Sequence, residues 1–327
     1  MKKIIYILFM ILMFATTYAS CGFLTQDYTL QEDLIVVGNC FIVGENDITI
    51  DGNGFSITGD GTGTGIEING FDRITVKNFE GIIDFNNGVY ASDSLDNTIN
   101  NNNIVQSGVG GYGIRIFSSN TQIMDNTITI NGEKSSGIHI YGKNNIVKDN
   151  DVQIDESYFG FARYGIFVLG YDNNKIEGNT IKSSSDWVNG ILIKQSQGNT
   201  IKDNVVELKG NSQNKVLMFA DGSNNIITGN KLSSTNHFEV YMSSVSNSGP
   251  GVEVTGGNVF TDVEIDGEVI FSSENIYHIS FRNEDISNFP DNADLISVSG
   301  ALYLSSFTNI PGYIDLSLGY EEGVNED

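Results

Sequence analysis

The chain of 327 residues carries 17 Lys and Arg against 41 Asp and Glu, a formal net charge of −24, with 39% hydrophobic residues, 37 Gly and only 3 Pro. That apolar content is enough to bury a core, while the acidity argues against nucleic acid and anionic membrane as partners, since both need a basic footprint for counterion release. Abundant Asn and Gly, poor residues for a helix interior, stand beside apolar residues that are mostly β-branched, so a helical fold is excluded in favour of an all-β one.

The start reads Met1-Lys2-Lys3, an uncharged run from Ile4 to Phe14, then "ATTYAS". A basic start, an apolar stretch too short to span a bilayer and small residues for cleavage predict a secretory leader over 1–19, with the mature start near Ser20. No later stretch is long and apolar enough for a membrane span. The expected location is secreted or cell-surface. The two cysteines, Cys21 and Cys40, both follow closely. One reading joins them in a disulfide closing a loop of about twenty residues and contributing on the order of 3 kcal/mol. The other lipidates Cys21 after "YAS" and leaves Cys40 single. Residues 20–47 are read as an N-terminal cap.

Over 48–265 the chain repeats. Asn53, Asn78, Asn102, Asn126, Asn150, Asn179, Asn204, Asn230 and Asn258 are spaced by 25, 24, 24, 24, 29, 25, 26 and 28 residues. Most carry an apolar residue three before and another two after, as in Ile201-x-x-Asn204-x-Val206. A second column follows at fixed phase: Gly65-Ile66-Glu67-Ile68, then copies beginning at Gly88, Gly113, Gly137, Gly165 and Gly190. Each copy alternates apolar with variable residues, as a half-buried strand does. Three short strands in about 25 residues, repeated eight or more times, predict a β-solenoid of about eight to nine coils. Leucine-rich repeats have similar length, but their L-x-x-L-x-L is missing. Asn tolerates the left-handed backbone of a tight turn, and its amide can bond to the coils above and below, so the ladder is read as structural. The tetrapeptide GNTI occurs at Gly178 and at Gly198, but Asn199 aligns with Asn145, Asn174 and Asn225 at an earlier corner of the coil, so twenty is not the period.

The series "NNIVKDN", "NKIEGN", "NTIKDN" and "NNIITGN", with the opening "CGFLTQDYTLQEDLIVVGNCFIVGENDITIDGNG", resembles secreted right-handed parallel β-helix proteins of the NosD-like, carbohydrate-binding and sugar-hydrolase type. The resemblance implies that fold over roughly 21–265, with glycan-related or surface roles. Residues 266–327 keep apolar alternation without the Asn period, and all three Pro fall after residue 249. They are read as a C-terminal β cap or small β module shielding the last coil edge.

In a solenoid, function shows where the repeat is broken. Eleven residues separate ladder Asn from the next strand Gly at Asn102–Gly113, Asn126–Gly137 and Asn179–Gly190, but fifteen at Asn150–Gly165. The four extra residues fall in "DESYFGFARY", which brings Asp155, Glu156, Tyr158, Phe159, Phe161 and Arg163, with Trp187 on the matching edge of the next coil. Aromatic faces beside carboxylates and Arg suit a sugar, while the same loop could equally cover the solenoid flank. The adjoining outward positions are Glu67, Tyr90, Arg115, His139 and Phe167, with Phe117 and Tyr141 two residues on. Arg115 and His139 should lie one coil apart, about 5 Å along the axis.

The expected function is an exported glycan-binding or structural module, with a polysaccharide lyase or glycoside hydrolase at the same face, or a protein-binding scaffold, as alternatives. The catalytic candidates are His139, Arg115 and Arg163; the ligand-binding candidates are the loop residues with Trp187, Tyr141 and Tyr90. By resemblance, pectate-lyase-like enzymes use Ca²⁺-binding Asp and a basic residue, but four Arg and no dense Asp cluster fit that poorly. The stretches "GDGTGTG" and "DNDVQIDE" offer oxygens to Ca²⁺ without a known loop spacing. NosD-like copper handling would want His or Met clusters, whereas only three scattered His are present.

Overall fold

A computed structural model describes residues 21–155, 163–210, 214–220, 224–234, 240–243, 258–265, 269–276, 281–283, 296–297, 301–304 and 314–318. The expected leader, and Glu156, Tyr158, Phe159 and Phe161 of the inserted loop, lie outside these residues.

Each coil contributes three short strands, and each strand pairs in parallel with its counterpart one coil along. One coil runs Tyr112–Ser119, Gln122–Met124 and Thr127–Ile130, and the next begins at Ser136–Ile140. The resulting architecture is a parallel β-solenoid of three sheets, with no helix among the described residues, as the Asn spacing predicts. The first strands of the coils make a ten-stranded sheet from Gly22–Leu24 to Val240–Ser243.

The interior is a set of apolar columns. Ile114, Ile138, Ile166 and Ile191 stack in the first sheet, Ile99, Ile123, Val147 and Ile176 in the second, and Ile104, Ile128, Val152 and Ile181 in the third, all 0% exposed. Each such burial contributes about 1.5–3 kcal/mol. β-branched side chains suit this stacking because they are already stiff at χ1 and pack on a pleated surface.

The glycine before each first-sheet isoleucine makes a corner. A Cβ on Gly113 would lie 2.6 Å from Ile128 Cγ2 and 2.9 Å from Gly137 O, so nothing larger fits there. Gly113 and Ile114 therefore both face the interior. The residues on either side, Tyr112 and Arg115, are both half-buried on the outer face.

The Asn ladder runs unbroken through Asn102, Asn126, Asn150, Asn179, Asn204 and Asn230, each 2% exposed or less. From Asn126 onward each Oδ1 accepts from the backbone N–H and from Nδ2 of the preceding ladder Asn, as Asn126 Oδ1 does from Asn102 at 3.1 and 3.0 Å. Each Nδ2 also reaches back to a carbonyl, as Asn126 does to Ile99 O at 2.9 Å. A second stack joins Asn145, Asn174, Asn199 and Asn225 at the preceding corner.

Three predicted ladder positions fall elsewhere. Asn101 pairs in turn position with Asn78, which sits at φ 59° while Phe79 occupies the buried rung and donates its N–H to Asn102 Oδ1. Asn53 is exposed at φ 50° in a longer turn and reaches only Leu30 O. Register pairs Val259 with Ile226, so Asn258 follows the phase of Asn225 and not that of Asn230. In each case the Asn-to-Asn spacing is close to the period, but the local turn length differs.

Cys21 and Cys40 are joined by a disulfide, which takes up both sulfurs and leaves none on Cys21 for a lipid. After the coils, the strand Asn258–Ile265 pairs in parallel with Ile226–Thr228 and Lys231–Ser234. On its other edge it pairs antiparallel with Val269–Ile276, which in turn pairs antiparallel with Ile314–Leu318.

Candidate functional site

The outer face of the ten-stranded sheet carries the residues that depart from polar solenoid surface. Register places Tyr90, Arg115, His139 and Phe167 in one column, one coil apart at each step. Phe117 and Tyr141 form the neighbouring column, their rings 4.4 Å apart and within 7° of parallel. Tyr90 meets Phe117 at 6.0 Å.

Alternation alone hides two further members. Strict period two puts Tyr112 on the same side as Ile114 and Ile116, but the corner at Gly113 turns it outward against His139, with ring centroids 4.5 Å apart. Tyr164, before Gly165, does the same: it lies 5.6 Å from His139 and stacks on Phe167 at 4.8 Å. The sequence signal was the column immediately before the glycines, where Tyr recurs among smaller polar residues.

Arg115 lies among these rings. Its guanidinium carbon is 4.6 Å from the Tyr112 centroid, 4.9 Å from Phe117 and 5.7 Å from Tyr141. The quadrupole of each ring attracts the cation. Nε is buried without a hydrogen-bond partner. His139, 4% exposed, has no partner at either ring nitrogen. Burial, and then the Arg115 charge, pushes its pKa down to about 3, so the imidazole is neutral near pH 7. Burial likewise raises the Tyr141 and Tyr164 phenols, so both remain protonated donors.

The remaining predicted site residues are placed differently. Arg163 is 0% exposed and donates through Nη2 to Asp186 O at 3.1 Å. Trp187 is half-buried at φ 60°, its carbonyl accepting from Arg163 N–H, one corner away from the aromatic columns. Asp155 accepts from Gln153 Nε2 at the end of its strand. Glu67 stands two rungs from Arg115, its Oε2 accepting from Asn39 Nδ2 at 2.9 Å. The structure thus assembles Tyr90, Arg115, His139 and Tyr141 of the predicted residues.

Neither of two concavities among the described residues is lined by these rings. One, of about 470 Å³, runs along the ladder turns and is lined by Asn53, Asn78, Phe79, Glu80, Asn101 and Asp125 among others. It is a furrow of turn amides where the first two turns are longer than the rest. Among the described residues no three His, Cys, Asp or Glu side chains converge as a metal site would require.

Solved structures to which the chain is similar include the A-module of the Azotobacter vinelandii mannuronan C-5 epimerase AlgE4, at 15% identity over 75% of this chain and 81% of that one, TM-score 0.44. ORF18 of Geobacillus virus E2 is similar at 13% identity over 91% and 67% of the two chains, TM-score 0.33. A tailspike mutant of E. coli bacteriophage HK620, in complex with a pentasaccharide, is similar at 6% identity over 90% and 86%, TM-score 0.27. No curated protein matches the chain in sequence. The family model described as periplasmic copper-binding protein (NosD) matches residues 46–265, the ladder-bearing coils themselves, and the chain belongs to that family.

Proposed function

We propose that this is an exported β-helix protein that holds glycan chains against the outer face of its ten-stranded sheet. The observation that carries the reading is the aromatic patch of Tyr90, Tyr112, Phe117, Tyr141, Tyr164 and Phe167, three of whose rings lie against one guanidinium. Ring faces stack on the C–H faces of sugars, while phenols, Arg and exposed amides bond hydroxyls. Export is supported by the disulfide, which persists in oxidising compartments, and by the leader-like start.

Binding fits this face better than catalysis does. A glycosidase needs two carboxylates facing each other across the scissile bond. The described outward positions around Arg115 hold none, and Asp155 stands at the end of its own strand. A lyase base needs a positioned partner, which the enclosed imidazole of His139 lacks. The copper named in the family description is not matched by the described donors: both cysteines are in a disulfide, and His139 is enclosed by rings. His237 and His278 lie outside the described residues.

Affinity electrophoresis through gels containing neutral or acidic polysaccharides tests the reading. The protein should be retarded in at least one gel, and Tyr141→Ala should lose most of that retardation at an unchanged melting temperature. Unretarded migration throughout a broad panel overturns it.

A further inference from the structure

The outer face around Arg115 differs in charge from the molecule that carries it. Between Cys21 and Gly111 there are 13 Asp and Glu against 2 Lys and Arg, a balance of 2 − 13 = −11. Between Tyr112 and Lys231 there are 12 of each, so these coils are neutral as a group. Within them, the outward positions of the ten-stranded sheet from Tyr112 to Lys194 hold no carboxylate and two cations, Arg115 and Lys194. The nearest outward carboxylate in the Arg115 column, Glu67, is two rungs away, about 10 Å at the usual strand spacing, which is about one Debye length in 0.1 M salt.

Arg115 is also prepared for a ligand in a way a solvated surface Arg is not. Three rings fix its plane, its Nε is buried without an acceptor, and none of the ion pairs among the described residues includes it. A half-buried guanidinium held among rings and lacking a carboxylate is most cheaply completed by an anion, which its fork can take in a bidentate pair. The neighbour below it in the column, His139, is neutral and adds no competing charge.

We infer that Arg115 is the anchor for an anionic substituent, a carboxylate or a sulfate, on the sugar chain held by this face. The inference rests on the glycan reading above and sharpens it to acidic glycans. Phe117 and Tyr141, stacked beside the guanidinium, serve as the platform for the sugar ring that bears the substituent.

The test measures binding of the full chain to matched polymers at 0.1 M salt: polygalacturonate against its methyl ester, and dextran sulfate against dextran. The expected result is that one acidic member binds at least about tenfold more tightly than its neutral partner, equivalent to about 1.4 kcal/mol. Which pair shows the preference identifies carboxylate or sulfate. Arg115→Gln should bring the acidic polymer to within about twofold of the neutral one, and Arg115→Lys should recover only part of the difference because it lacks the planar fork. Equal binding of acidic and neutral members by the unaltered protein overturns the anion anchor and leaves the glycan reading intact. An acidic preference that survives Arg115→Gln removes Arg115 from the role. Binding to none of the four polymers counts against both readings.

Discussion

Asn150 donates through Nδ2 to Asn179 Oδ1 at 2.9 Å, the same distance as the Asn126–Asn150 and Asn179–Asn204 rungs, although 29 residues separate them where the adjacent rungs span 24 and 25. The four extra residues thus leave the ladder geometry unchanged. In sequence they fall between Ile154, the end of a third-sheet strand, and Arg163, the start of the next first-sheet strand.

Asn150→Ala should be among the most damaging single substitutions in the coils. It strips an acceptor from Asn126 N–H and Nδ2 and a donor from Ile123 O, all buried. Each orphaned group costs about 1–3 kcal/mol, so a loss of roughly 3–5 kcal/mol is expected in urea unfolding. Asn53→Ala, outside the stack, should stay within about 1 kcal/mol.

Gly113→Ala should destabilise by about 2–4 kcal/mol, because the new methyl must displace Ile128 or the Gly137 carbonyl. It should also separate Tyr112 from Arg115 and weaken glycan retention. An unchanged melting temperature would show that the corner is less tightly closed than these distances indicate.

His139 gives the fold a pH dependence of definite sign. Its folded pKa of about 3 lies below the ordinary value near 6.5, so the unfolded chain binds the proton more readily. The contribution is complete above pH 6.5 and is lost as pH falls through that value toward 3, with a slope of up to about 1.4 kcal/mol per pH unit. Among the described residues the titratable groups facing the ring are Arg115, Tyr112, Tyr141 and Tyr164. His139→Phe should flatten this part of the stability profile. At neutral pH it should be neutral or stabilising by about 1–2 kcal/mol, since it removes two unpaired buried nitrogens. A profile with undiminished slope between pH 6 and 4 would assign the acid sensitivity to other groups.

Reduction of Cys21–Cys40 should loosen the first coil and not the remote ones. The closed loop is 19 residues long in sequence, which corresponds to about 3 kcal/mol of chain entropy. Hydrogen exchange after reduction should rise at Leu24 and Phe41 while amides of the Asn150–Asn204 rungs stay protected. Uniform deprotection along the chain would mean that the coils unfold as one cooperative unit.

Sequence reading reached furthest where the repeat was regular. The phase of Asn102 to Asn230, the glycine column and the one-coil step from Arg115 to His139 all follow from spacing, because each coil repeats the same burial. It was less accurate where turns change length: Phe79 takes the rung that Asn78 was expected to fill, and register moves Asn258 to the other corner. At the site, alternation found Arg115, His139, Phe117 and Tyr141 but passed over Tyr112 and Tyr164, since a corner that buries two successive residues breaks period two. Arg163 was expected among the ligand-binding residues of the inserted loop, yet it is the first residue of a first-sheet strand and fully buried, which spacing alone does not reveal.

The strand Asn258–Ile265 passes straight through the position where earlier coils bend at an Asn and offers its far edge to an antiparallel neighbour. A stack built wholly of parallel rungs presents at its last rung the same template that every earlier rung presented, and so can recruit another copy end to end. Reversal of strand direction at Val269–Ile276 withdraws that template. A copy approaching end to end would therefore meet Val269–Ile276 at this edge and not a free parallel rung.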